Sequence, residues 1–315
     1  MKRKRSIKIV FWVFALLFIL MNIIAFMHAY KFTHFSDPSG TLTKNPGALS
    51  RSEKIKAVFL GVSNPRPVNT NKPSQRFETI KLKSNKEIEC WSISADSSNS
   101  TVLIFHGYRG DKSRMLDKAN FFLEQGYNVL LVDFMGSGGS EGNQTTIGFK
   151  EANEVKTCFD YAANKNQKIY LFGTSMGAVA IMKAIQDHKI IPTGIILECP
   201  FGTMYKTTCA RFKNMGIPSF PMAGLLLFWG SLQNGFWGFS HNPERYATSI
   251  KCPTLLLYGE KDDRVSNEEI NKIYNNLNGE KTLKTFPLAG HENYFANYES
   301  DWIQYVSDFL KTKIK

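Results

Sequence analysis

The chain has 315 residues, 43% of them hydrophobic, and a formal charge of +12 at pH 7. This length and apolar content exclude a disordered chain and a small disulfide scaffold, and they suffice for a sizeable core. The charge is uneven: residues 1–37 hold six Lys/Arg against one Asp, which leaves 33 Lys/Arg against 26 Asp/Glu, or +7, for the remainder. Such a domain suits an anionic membrane surface. No basic run is interleaved with aromatic residues, so a nucleic-acid partner is not expected.

Lys2, Arg3, Lys4, Arg5 and Lys8 precede an apolar run, Ile9 to Met27, in which Asn22 is the only strongly polar residue. As a helix, this run of 19 residues spans roughly 30 Å, the thickness of a bilayer core. Trp12 and Tyr30 lie near its ends, where aromatic residues favour the interface. A cleaved signal peptide is the competing reading, but the run is long for one, and Phe26-Met27-His28-Ala29 is a poor small-residue cleavage site. Residues 1–30 therefore read as an uncleaved signal anchor, a single pass with a cytoplasmic N-terminus and the rest of the chain on the outer, periplasmic or extracellular side.

Residues 31–75 read as a juxtamembrane connection punctuated by Asp37-Pro38-Ser39-Gly40, Asn45-Pro46-Gly47 and Asn64-Pro65-Arg66-Pro67. A short helix from Leu49 to Leu60 is expected inside it, with Ile55, Val58 and Phe59 on one face. From residue 76 to 315 the pattern is that of one domain. RFETIKLK and KEIECWSIS alternate as half-buried edge strands do. TVLIF, YNVLLVD, KIYLF, TGIILE, CPTLLLY and KTLKTF follow as further strands, separated by helices near 114–125, 149–163, 176–187 and 267–277 and closed by one near 297–312. Strands alternating with helices predict an α/β fold, a mostly parallel sheet covered on both faces, with its chemistry at the carboxyl ends of the strands. About fifty residues between Glu198 and CPTLLLY interrupt this alternation and read as a lid over roughly 200–249.

The five cysteines (90, 158, 199, 209 and 252) show no Cys-x-x-Cys spacing and no cluster with histidine. They read as small buried apolar residues, with Cys199–Cys209 as a candidate disulfide in an oxidising compartment.

Four strand ends carry reactive groups. KIYLF runs into Gly173-Thr174-Ser175-Met176-Gly177, a serine between glycines where a strand becomes a helix. CPTLLLY is followed by Gly259-Glu260-Lys261-Asp262-Asp263-Arg264-Val265, with two adjacent aspartates, and KTLKTF by a loop ending in His291. TVLIF leads into His106-Gly107-Tyr108-Arg109-Gly110, a glycine-bounded loop able to aim backbone N–H groups at a ligand. A serine hydroxyl needs a base to take its proton, and the base needs a carboxylate to fix its tautomer. Serine, aspartate and histidine occur here in that chain order, each on its own strand-end loop. Glu198 is an alternative acid. His106 reads as a support for its loop, Asp133 as an organiser of VDFMGSGGSEG, and His188 and His241 as surface residues.

From about 76 to 312 the chain resembles the α/β-hydrolase superfamily, and most of all its small-lid branch of serine-aminopeptidase-like and esterase-like enzymes. The resemblance rests on LIFHGYRGD, VDFMGSGGSEG, LFGTSMGA, IKCPTLLLYGEKDDRV and LAGHENY. It implies Ser175 as nucleophile, Asp262 as acid, His291 as base, and an oxyanion hole from the N–H groups of Tyr108 and Met176. No metal or organic cofactor is implied. Met135 departs from the pattern, since many members carry arginine there.

The lid holds PMAGLLLFWGSLQNGFWGF, too short and too rich in proline and glycine for a second span. Phe228 and Trp229 are its candidate substrate-binding residues, for an ester or thioester with an apolar acyl chain. The expected activity is thus that of a membrane-anchored serine hydrolase on a small or lipid-like carboxylic ester, with no obligate protein partner evident. A serine aminopeptidase is the alternative. It would need lid carboxylates for the substrate ammonium, and Glu244 is the only one between Phe201 and Tyr258. A non-catalytic binding domain would be expected to lack one of Ser175, Asp262 and His291, and all three are present.

Overall fold

A computed structural model describes residues 2–43, 49–96, 98–165 and 168–313. Its centre is an eight-stranded sheet in the order β1-β2-β4-β3-β5-β6-β7-β8. The strands are β1 (Phe77–Lys83), β2 (Glu87–Ile93), β3 (Ser100–Phe105), β4 (Asn128–Val132), β5 (Lys168–Thr174), β6 (Gly194–Glu198), β7 (Thr254–Gly259) and β8 (Lys281–Phe286). The pairs β1/β2 and β2/β4 are antiparallel, and every other pair is parallel. β3 to β7 are continuous apolar runs because both faces of the sheet are covered. At the edge, β1 alternates instead, with most of its polar residues in solvent.

The helices are α1 (Lys2–Thr33), α2 (Arg51–Leu60), α3 (Leu116–Glu124), α4 (Glu151–Ala163), α5 (Met176–His188), α6 (Met204–Asn214), α7 (Met222–Asn234), α8 (Pro243–Tyr246), α9 (Asn267–Asn276), α10 (Tyr294–Asn297) and α11 (Glu299–Lys313). Two apolar cores lie on opposite faces of the sheet, one under α4 and α5, the other under α3 and α11. Asp133 holds the loop after β4 as expected, accepting from the N–H groups of Lys112 (2.7 Å) and Gly139 (2.8 Å) and pairing with the buried Lys112 ammonium. Met135 donates its N–H to Glu154 at 3.0 Å, which identifies the partner of that loop.

Three expectations need correction. All five cysteines are free, and Cys199 is buried away from any disulfide partner; the close pair is Cys90 and Cys158, Sγ to Sγ 4.0 Å. His241 is not on the surface but fully buried inside a ring of Phe149, Phe201 and Phe236. Of the face predicted on α2, only Val58 turns inward, while Ile55 and Phe59 stay exposed.

The segment after residue 30 is not a free spacer. α1 continues to Thr33, and the chain beyond it is laced to the loop after β4 through Phe35 N–H to Asn143 O (2.6 Å) and Thr145 N–H to Thr33 O (2.8 Å). From Ser6 to Thr33, α1 is long and apolar enough to cross a membrane. Ile9, Phe11, Phe14, Leu16 and Phe18 are exposed, whereas Ala25 and Ala29 are buried against α7. Trp229 of α7 donates to Asn22 Oδ1 (3.1 Å), and Gln233 to Phe26 O (2.8 Å).

Candidate active site

Ser175 occupies the turn between β5 and α5 with φ +53° and ψ −108°, a backbone conformation that ordinary residues avoid. Its N–H is tied to Glu198 O at 2.7 Å. The flanking glycines follow from close approach. A Cβ on Gly173 would stand 2.6 Å from Ala178 N, and one on Gly177 2.4 Å from Phe105 O. Those clashes are with backbone, so neither can be relieved by a rotamer.

The Ser175 hydroxyl donates to His291 Nε2 at 3.1 Å, and His291 Nδ1–H donates to Asp262 Oδ2 at 2.7 Å. The second oxygen of Asp262 accepts from the N–H groups of Arg264 (2.7 Å) and Val265 (2.9 Å). With its carboxylate held from both sides and buried, Asp262 fixes the imidazole so that Nε2 faces the serine. Asp263 points away and meets Asn214 instead. Glu198 does not reach the histidine: its oxygens accept from Thr174 Oγ1 (2.7 Å) and Trp302 Nε1 (2.6 Å), and burial raises its pKa. His106 supports its loop, donating to Gly107 O (2.8 Å) and accepting from Phe134 N–H (3.1 Å).

Ser175 and His291 open into a cavity of about 380 Å³ that Tyr108 and Met176 also line. Met176 is the first residue of α5, so its N–H has no acceptor within the helix and sits beside the serine. Arg109, Arg114, Arg211 and Arg264 line the same cavity. Arg114 pairs with Asp111 at 3.1 Å, and Arg264 lies 4.0 Å from Asp263; among the described residues neither Arg109 nor Arg211 has a carboxylate at ion-pair distance. Arg211 packs over the rings of Phe32 (4.2 Å) and Tyr108 (5.5 Å), and burial lowers its pKa to about 10, which leaves it charged at neutral pH. Burial of the neighbouring Cys199 raises its pKa well above the usual thiol range, so it stays a neutral thiol.

Phe228 and Trp229 line none of the cavities at this site. Trp229 packs edge-on to Phe26 of α1 (5.4 Å), and Phe228 meets Trp237 edge-on at 6.5 Å. The residues of α7 that face the neighbouring cavity are Met222, Leu226, Leu227, Gly230 and Ser231. The arginines and the contribution of α1 were not foreseen from the sequence, which carries no local signal for either.

Residues 96–228 match the family model described as serine aminopeptidase, S33. The esterase Pf2001 of Pyrococcus furiosus superposes with a TM-score of 0.66 at 25% identity, covering 79% of this chain and 96% of that one. The chain has the α/β-hydrolase fold. The uncharacterized protein YqkD of Bacillus subtilis (strain 168) is 24% identical over 71% of this chain and 75% of its own length. The lysophosphatidylserine lipase ABHD12 of Danio rerio is 25% identical over 72% of this chain and 62% of its own length. The sheet order and parallel crossovers are those of an esterase- and lipase-like α/β hydrolase.

Proposed function

We propose that this hydrolase is a membrane-anchored serine esterase in which Ser175 is the nucleophile, His291 the base and Asp262 the acid. The observation that carries the reading is the hydrogen-bonded chain from Ser175 Oγ through His291 to Asp262. Ser175 Oγ bonds to the ester carbonyl carbon while its proton passes to His291 Nε2. The tetrahedral intermediate collapses, the carbon–oxygen bond to the leaving group breaks, and the alkoxide takes that proton away as an alcohol. Water then repeats the sequence on the acyl-serine, releasing a carboxylic acid and restoring the serine. The N–H groups of Tyr108 and Met176 receive the developing oxyanion, where the loss of one donor slows turnover by about a hundred- to a thousand-fold.

The arginines favour this reading over an aminopeptidase, because a positive cavity repels a substrate ammonium. The carboxylates there are already engaged: Glu198 as described, and Glu292 with Gly290 N–H (3.0 Å) and Asn297 Nδ2 (2.5 Å). Glu244 in the lid pairs with Lys206 at 2.7 Å. The long apolar helix α1 supports anchoring, and the basic N-terminus supports an outward-facing domain. A protease-protection assay that found the C-terminus on the cytoplasmic side would overturn that orientation. Fluorophosphonate labelling of the full chain in nanodiscs tests the chemistry. Labelling is expected in the wild type and absent in Ser175→Ala; an unlabelled, folded wild type would sink the reading.

A further inference from the structure

Beside the catalytic cavity lies a second one, of about 200 Å³ and almost wholly apolar, enclosed by α1, α6 and α7. Each helix gives it one face at helical spacing. α1 supplies Ile24, Ala29 and Phe32; α6 supplies Met204 and Phe212; α7 supplies Met222 and Leu226. Ile147, Thr207 and Arg211 line both cavities, so the apolar space begins at the rim of the Ser175 site. From Ile9, about 20 residues of α1 cross a bilayer core, which leaves the turns from about His28 to Thr33 at head-group depth. The cavity lies beside those turns.

We infer that this cavity is the acyl-chain subsite of the esterase and that the membrane helix α1 is one of its walls. The proposal rests on the serine-esterase reading above and adds the substrate class. That class is a single-chain amphiphile whose acyl carbonyl meets Ser175, whose alkyl chain lies between α1 and the lid, and whose polar leaving group lies among Arg109, Arg114, Arg211 and Arg264. Apolar walls exclude competing water and accept methylenes without orienting them, which suits an alkyl chain and not a polar group. The anchor then does more than tether, because removing it opens the subsite to water.

Two measurements on the full chain in nanodiscs test this. In the first, kcat/KM is read for p-nitrophenyl acetate, butyrate, octanoate and decanoate. The wild type should gain up to about fourfold per buried methylene until the cavity is full. Ile24→Trp and Leu226→Trp should abolish that gain, costing decanoate far more than acetate. A flat wild-type profile, or equal losses on acetate and decanoate in a variant that still takes the fluorophosphonate label, overturns the inference. In the second, an alkyl fluorophosphonate bearing a terminal diazirine is bound to Ser175, irradiated and mapped by mass spectrometry. Cross-links to α1 or α7 support the subsite; cross-links confined to residues 109–114 overturn it. If Ser175 takes no label at all, the esterase reading itself fails, and the subsite falls with it.

Discussion

The Tyr108 hydroxyl donates to Phe32 O at 2.7 Å and accepts from Asn64 Nδ2 at 2.9 Å, and the rings of Tyr108 and Phe32 stack at 4.7 Å. Through these contacts the loop proposed to supply an oxyanion donor is fastened to the last turn of the long apolar helix α1. Burial pushes the phenol pKa up to about 12, so it remains a donor across the usable pH range.

Tyr108→Phe keeps the backbone N–H and the ring but cuts this tie. The part-buried Phe32 carbonyl keeps only the longer bond from Asn64 Nδ2 (3.3 Å), and the loss costs about 0.5–1.5 kcal/mol. Thermal unfolding of the full chain should begin at a lower temperature than in the wild type. Turnover of an acetyl ester should fall through kcat, because the loop carrying the Tyr108 N–H is no longer held. Unchanged kcat would mean that the loop is positioned by the sheet alone.

Asp262→Asn is expected to lower kcat by roughly a thousand- to ten-thousand-fold at neutral pH. The reason is specific to this loop. The N–H groups of Arg264 and Val265 point at one carboxylate oxygen. They will take the amide oxygen of asparagine, which turns its NH2 toward His291 Nδ1 and forces the wrong tautomer. Asp263→Asn, one residue away but aimed at Asn214, should retain activity. Equal losses in the two variants, measured on p-nitrophenyl acetate, would refute the assignment.

Much of this site could be read from the sequence because each of its residues closes a strand. Ser175, Asp262 and His291 follow β5, β7 and β8; the apolar runs of β5 and β7 locate the first two, while β8, KTLKTF, locates His291 through its place in the strand–helix alternation. The lid was read less well for a physical reason. α7 carries Leu225, Leu226, Leu227, Phe228 and Trp229 in succession, so no periodicity says which face turns inward. Its partner, α1, lies some 207 residues away in sequence at Trp229–Asn22. His241 was misplaced in the same way, since the phenylalanines that bury it come from three separate segments.

Glu154 gives a pH dependence of stability. Burial, with the nearby Glu151 carboxylate adding to it, raises its pKa from 4.5 to about 8. A carboxyl raised in the folded state binds its proton more tightly there than in the unfolded chain. Its contribution is therefore fully present below about 4.5 and is lost as pH rises through about 8. The wild type should lose stability between those limits. Glu154→Gln, which is neutral at every pH but can accept from only one of Met135 N–H and Asn85 Nδ2, should flatten that slope in thermal melts. A slope that survives in the variant would assign it to another group.

Arg211 should discriminate among leaving groups. It stands at the rim shared by the two cavities, charged, packed on aromatic rings and, among the described residues, with no carboxylate at ion-pair distance. An anionic leaving group would find in it a counter-ion that water screens only partly, worth about 1.5–3 kcal/mol for a hydrogen bond to a charged group. Arg211→Gln should thus weaken kcat/KM for an ester with a phosphate-bearing leaving group by roughly ten- to a hundred-fold. A neutral glyceryl ester of the same acyl chain should be affected far less, although the lost packing on Phe32 and Tyr108 will cost both substrates something. Added salt should reduce the wild-type preference for the anionic ester and leave the variant nearly unchanged. Equal losses on both esters, with no change in salt dependence, would mean that Arg211 serves only to pack the lid onto α1.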